Sequence, residues 1–339
     1  MDILTASAVF IISTAVIAVS GTYLAKTSDE LADVTGMGEA VFGAVLLGGT
    51  TSLPGIITSV TAAYSNHPEL AVSNAIGGIA AQTFFLSIAD ISYRKTNLEH
   101  AAASFPNLMQ GTMLIALLSL VMAGIAGPSA EIFHFHPFSL LIIIFYIGGS
   151  KLVSKAKDEP MWRPRLTRET VEDEPDIKNI RKLSMKALII KFVLLAAVVG
   201  TAGYSVAESG IIIADKTGLS ESLVGALFTA VATSLPELIV SVAAVRYGAL
   251  TMAVGNIIGG NTFDVMFVAF ADFAYLEGSI LQAVTMNQVY MIAMTILMTG
   301  VLIMGLLHRE EQGLGKIGWE SSLIFAVYIL GNAFLFFLT

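Results

Sequence analysis

The sequence predicts an all-α polytopic membrane protein, with ten transmembrane helices arranged as two inverted five-helix repeats. Three observations carry that expectation. The 339 residues are 55% hydrophobic and only 13% charged, against roughly 25% charged in a soluble domain. Shifted by 182 residues, the chain aligns with itself without a gap, 32–93 onto 214–275. Each half carries five apolar segments, and an odd number sends the second half into the membrane from the opposite side.

The segments fall at about 3–25, 38–65, 69–92, 106–126 and 137–153, then 184–207, 219–246, 250–274, 283–307 and 317–338. Each is near the ~20 residues that cross the hydrocarbon core as a helix. The first lacks a basic leading region and is long enough to span, so it reads as a transmembrane helix and not as a cleaved signal. The expected organisation is 1–153 as first repeat, 154–183 as a polar linker and 184–339 as second repeat. Ten of the eighteen Lys and Arg residues lie from Lys151 to Lys186. The positive-inside rule therefore makes the linker cytoplasmic and both termini external. Lys26, Arg94, Lys95, Arg246, Arg309 and Lys316 also fall inside, and Lys216 falls outside. The short loops point to a prokaryotic inner membrane.

The repeat is dense in residues that matter to backbone shape. Matched pairs include Asp33/Asp215, Thr35/Thr217, Gly36/Gly218, Glu39/Glu221, Gly43/Gly225, Thr51/Thr233, Ser52/Ser234, Leu53/Leu235 and Pro54/Pro236. Ser59/Ser241, Asn74/Asn256, Ile76/Ile258, Gly77/Gly259, Gly78/Gly260, Ala89/Ala271, Asp90/Asp272 and Tyr93/Tyr275 follow. Apolar segments resemble one another by composition alone, but Thr-Ser-Leu-Pro twice at one offset does not arise that way.

Two carboxylates stand inside apolar segments beside helix breakers. Glu237 follows Thr233-Ser234-Leu235-Pro236, and Asp264 ends Gly255-Asn256-Ile257-Ile258-Gly259-Gly260-Asn261-Thr262-Phe263-Asp264. A charge at the bilayer centre costs on the order of 3 kcal/mol, which makes such a residue a functional candidate. Pro236 removes a backbone donor and suits the start of a new half-helix, placing Glu237 in its first turn. Gly259-Gly260 is expected to open the second segment in the same way. The candidate metal-binding set is Glu237, Asp264, Thr233, Ser234, Thr51, Ser52, Gln82, Asn256, Asn261 and Asn74. All offer hard oxygen ligands, which suit Ca2+ and also Na+. The five His lie near predicted ends or loops, so a soft transition metal is not expected.

Each candidate has a plainer reading. A carboxylate at a helix start is favoured there anyway, and Asn74 and Asn256 could serve only to bridge broken backbone. Asp90 and Asp272 lie near span ends and read as packing or interfacial groups. Glu39 and Glu221 read as helix N-terminal carboxylates, and Glu208 and Asp215 as outward surface charges. The aromatic residues read as lipid contact and core packing, with no cofactor box among them.

At these residues the chain resembles the calcium/cation antiporter superfamily, most closely the prokaryotic sodium/calcium exchangers. The resemblance covers almost the whole chain. Its second motif, Ala-Thr-Ser-Leu-Pro-Glu at 232–237 with 255–264, is a strong match. It implies that Thr233, Ser234, Glu237 and Asp264 line a central cation site, and that Ca2+ is exchanged for Na+ or H+ by alternating access. The first motif departs. Gly55 stands where the family has a second central Glu, Ile79 stands opposite Asn261, and Gln82 stands opposite Asp264.

Two carboxylates balance one Ca2+, two Na+ or two H+, so electroneutral exchange is the expectation. No cofactor beyond the transported ions is expected, and the partners are inorganic cations and the lipid bilayer. Without a basic face, nucleic acid is not expected. Cys is absent, which excludes thiolate chemistry. There is no nucleophile–base set or phosphate loop, so the chain does not read as an enzyme. The alternatives are a monovalent cation/H+ exchanger and a transport-inactive membrane scaffold.

Overall fold

The computed structural model describes residues 1–35, 49–93, 96–102, 104–158, 162, 164–165, 184–311 and 317–338. Gly36, Glu39, Gly43, Arg94, Lys95, Lys316 and most of the linker lie outside them. The long helices are α1 (Ile3–Thr35), α2 (Leu53–Tyr64), α3 (Pro68–Ser92), α4 (Phe105–Ala126), α5 (Pro137–Asp158) and α6 (Met185–Thr217). They continue as α7 (Glu221–Thr233), α8 (Leu235–Tyr247), α9 (Leu250–Asp264), α10 (Met266–Ala274), α11 (Met286–His308) and α12 (Trp319–Leu338).

Among the described residues, eight helical spans are long and apolar enough to cross a membrane; α9 and α10 together form one of them. A ninth is the pair α7 and α8, bent by 48° at Ser234. The tenth expected span, 38–65, is represented by α2, and its first part lies outside the described residues. Three helix ends run past expectation. α1 runs to Thr35 instead of 25, α5 to Asp158 instead of 153, and α6 to Thr217 instead of 207. Polarity marks where a chain leaves the hydrocarbon, but a helix already nucleated propagates one bond per residue past that point. α6 stops where Gly218 takes the left-handed conformation (φ 75°), the usual end of a helix.

Burial sorts the spans into centre and rim. The spans at 68–91 and 250–274 are 83% and 72% buried, whereas those of α1 and α6 are 17% and 22% buried. α3 and the α9–α10 span therefore form the middle, and α1 and α6 pack together on the lipid-facing side. Two small-residue crossings bring α1 and α6 onto the breaks. A Cβ at Gly21 would lie 2.5 Å from the Pro236 ring, and one at Gly203 would lie 2.8 Å from the Pro54 carbonyl. Gly21 and Gly203 are themselves 182 apart, so the repeat seen in sequence is also a repeat of contacts.

The same offset governs the span ends. Asp272 accepts hydrogen bonds from Ile280 N (2.7 Å), His136 N (2.7 Å) and Ser139 Oγ (2.5 Å). Asp90 accepts from Leu98 N (2.7 Å) and Gly318 N (3.2 Å), the positions 182 earlier or later. Both aspartates tie a loop to a span end, as the packing reading expects. The halves then diverge. Beside Asp90 lie Glu99 and Glu320, 1% and 0% exposed, where the other repeat has Leu281 and Phe138. Burial, with the neighbouring Asp90 and Glu320 carboxylates adding to it, pushes the Glu99 carboxyl well above its usual range.

A backbone-to-backbone crossing joins α3 to a π-helical turn, Val224–Thr229, inside α7. A Cβ at Gly77 would lie 2.5 Å from the Ala226 Cα and 2.7 Å from its carbonyl oxygen. Backbone cannot swing aside as a side chain can. Gly77→Val is expected to abolish recovery of monodisperse protein in size-exclusion chromatography. Gly148→Val, which enters open space, is expected to leave it unchanged.

Candidate cation site

The break at Ser234 follows from Pro236, which has no N–H to give the carbonyl of Ala232 four residues back. The new helix starts at Leu235 with Pro in its first turn and Glu237 beside it, as the sequence predicts. In the first repeat α2 starts at Leu53 with Pro54, directly after Thr51 and Ser52. The second expected opening is absent. α9 runs as a helix through Gly259 and Gly260 to Asp264, and the chain turns only at Val265. These glycines provide space instead. A Cβ at Gly260 would meet Gln82 Oε1 at 3.4 Å, and one at Gly78 would meet Ser234 Oγ at 3.4 Å.

The half-helices converge on Asp264, which is 2% exposed. Ser52 Oγ donates to its Oδ1 (2.5 Å) and Gln82 Nε2 to its Oδ2 (2.6 Å). Gln82 Nε2 also lies 3.4 Å from Ser234 Oγ. Ser52 and Ser234 are repeat mates, as are Gln82 and Asp264. The Gln82–Asp264 bond therefore lies across the pseudo-twofold axis, with one serine from each repeat beside it. Glu237, 8% exposed, stands within the electrostatic field of Asp264.

Several acceptors at this level have no partner: Glu237 Oε2, Gln82 Oε1, Asn261 Oδ1 and Asn74 Oδ1. A buried acceptor without a donor costs about 1–3 kcal/mol, and such groups call for an explanation such as an ion. The other candidates divide. Asn261 Nδ2 donates to Thr83 Oγ1 (2.9 Å). Asn74 Nδ2 donates to the Gly55 carbonyl (3.2 Å) and Ser59 Oγ (2.9 Å), which is the backbone-bridging reading. The Thr233 hydroxyl turns back to the carbonyls of Thr229 (2.9 Å) and Ala230 (3.2 Å). Thr51 and Asn256 are half-buried. Among the described residues, no group of three or more His, Asp or Glu could hold a metal ion, so any cation held here relies on neutral oxygens as well.

Three participants escaped the sequence reading. Thr83 positions Asn261, and its own repeat mate is Val265, just as the mate of Asn261 is Ile79. Gln288 ties α11 to Ser73 (3.0 Å) and Ser222 (2.8 Å), and a lone Gln in an apolar span was the available signal. Phe267 fills the space at Gly55 and carried no sequence signal at all.

Half-helices that meet at buried carboxylates near the middle of an inverted repeat define a class of membrane transporter. The profile described as "Sodium/calcium exchanger protein" matches residues 5–150 and 187–337, and the chain belongs to that family. It is 26% identical over 308 residues to the uncharacterized membrane protein MJ0091 of Methanocaldococcus jannaschii, covering 90% of each chain. Its fold is similar to that of the H+/Ca2+ exchanger CAX, with TM-score 0.70 and 14% identity over 98% of this chain and 86% of that one. It is also similar to the sodium-calcium exchanger NCX_Mj soaked with Na+ and Sr2+, with TM-score 0.60 and 22% identity over 98% and 99% of the two chains.

Proposed function

We propose that this chain is a secondary antiporter that exchanges Ca2+, or a related hard cation, for Na+ or H+ by alternating access. Membership of the sodium/calcium exchanger family supports cation antiport. The observation that carries the site is the buried Glu237 and Asp264 with unpartnered oxygens of Glu237, Gln82 and Asn261 near them. The cation binds between the two repeats, with carboxylate charge from the second and neutral oxygens from Ser52 and Gln82 of the first. Two carboxylates neutralise one Ca2+ or two monovalent ions, so exchange is electroneutral. A buried carboxylate can carry a proton in place of a metal ion, which keeps H+ beside Na+ as coupling ion. Residues 1–153 and 184–339 form the two repeats, and 154–183 the cytoplasmic linker. The chain sits in the inner membrane with both termini outside.

The test is uptake of radiolabelled Ca2+ into proteoliposomes under an outward Na+ gradient, an outward H+ gradient, or neither, with net charge recorded under voltage clamp. One gradient is expected to drive uptake with no net charge moved per Ca2+. Net charge moved per Ca2+ taken up sinks electroneutrality. Failure of every gradient moves the substrate to a monovalent cation exchanged for H+, the reading that the missing glutamate at Gly55 would favour.

A further inference from the structure

The place of the missing glutamate is not empty. Gly55 is buried in the first turns of α2, and a Cβ there would lie 2.6 Å from Phe267 Cε2 and 3.3 Å from its Cζ. A side chain of any size at position 55 would overlap the ring. An aromatic ring from α10, three residues after Asp264, occupies that place.

The ring is held there. Phe267 is 4% exposed. It packs edge-on against Phe263 (centroids 6.3 Å apart, 79° between planes), and Phe263 packs edge-on against Tyr146 of α5 (5.7 Å, 77°). Phe263 also meets the space at Gly49, where a Cβ would lie 3.4 Å from its Cζ. A chain of rings thus backs Phe267 toward α2. In the second repeat the position equivalent to Gly55 carries Glu237, and the mate of Phe267 is Phe85, which packs in the other large apolar cluster.

We propose that Phe267 and Gly55 form a steric pair that fixes the carboxylate count of the cation site at two, with the ring standing where a carboxylate opposite Glu237 would otherwise reach. This deepens the antiporter reading and rests on the same site. Phe267 is then a specificity-determining residue. It excludes a third negative charge and with it the additional monovalent cation that such a charge would hold.

The experiment is a double-mutant cycle on the purified full chain: wild type, Gly55→Glu, Phe267→Ala and Gly55→Glu/Phe267→Ala. Two quantities are read, the melting temperature and the Na+ and Ca2+ concentrations that raise it half-maximally. Gly55→Glu alone is expected to melt well below wild type or to yield no folded protein. Phe267→Ala is expected to melt lower because it leaves a cavity. The double variant is expected to be more stable than the sum of the two single effects. It is also expected to bind Na+ at least tenfold more tightly than wild type, because a third carboxylate now faces the site.

A Gly55→Glu variant as stable as wild type overturns the proposal, since the ring would then not exclude the side chain. Additive melting shifts overturn it too, as does a folded double variant whose ion affinities equal those of wild type. If wild type transports no Ca2+ under any gradient while the cycle shows coupling and the double variant gains Na+ affinity, the antiporter reading fails and the steric pair stands.

Discussion

Glu237→Gln is expected to abolish gradient-driven Ca2+ uptake while leaving the protein as stable as before, or more so. The substitution keeps the volume and one oxygen but removes one of the two negative charges at the site. A divalent ion there is left with Asp264 alone, and an uncompensated buried charge costs about 3–5 kcal/mol. That corresponds to a loss on the order of 100- to 5,000-fold in affinity. Stability moves the other way because Glu237 is buried close to a second carboxylate, Asp264, and a neutral amide relieves the repulsion between them. Uptake of radiolabelled Ca2+ and a melting curve on the same preparation check both halves. Retained Ca2+ uptake in Glu237→Gln would show that Asp264 suffices and would sink the two-carboxylate site.

Asp272→Asn is expected to destabilise the fold by about 3 kcal/mol, and Asp90→Asn by clearly less. Asp272 accepts three hydrogen bonds with both oxygens, from Ile280 N, His136 N and Ser139 Oγ. An asparagine presents one acceptor and turns an NH2 toward donors, leaving at least one buried N–H unpaired. Hydrogen bonds to a charged group contribute about 1.5–3 kcal/mol each, so the loss is large. Asp90 occupies the matching position in the other repeat, but its second bond, to Gly318 N, is longer at 3.2 Å. Its charge also bears on the buried Glu99 carboxyl beside it, pushing that group up. Neutralising Asp90 relieves Glu99 and offsets part of the lost bonding. Thermal unfolding of the two variants in detergent orders them; equal losses would mean that the acidic neighbours carry no weight.

The sequence by itself determined what depends on neighbours along the chain. Apolar length set the spans, because a helix must cover the hydrocarbon thickness wherever it later packs. The offset of 182 set the two-repeat plan. Pro236 fixed the break at Ser234 and the place of Glu237, since a missing N–H and a locked φ act within one turn. Asp264 was legible as a candidate because a lone carboxylate in an apolar stretch is costly wherever the stretch goes.

What the tertiary structure decided are the relations between residues far apart in sequence. Ser52 meets Asp264 across 212 positions, and no local rule pairs them. Gly259 and Gly260 look like helix breakers in sequence, yet α9 continues through them, and their absent Cβ atoms give room to Gln110 of α4 and Gln82 of α3. Asn74 and Asn256 match in sequence, yet Asn74 bonds to the Gly55 carbonyl and Ser59, and the structure assigns no such bond to its mate. Gly55 reads as a deletion of charge in the sequence. Only packing shows that Phe267 fills the place, because a close-packed interior leaves no vacancy where a side chain is lost but lets a neighbour from another helix close it.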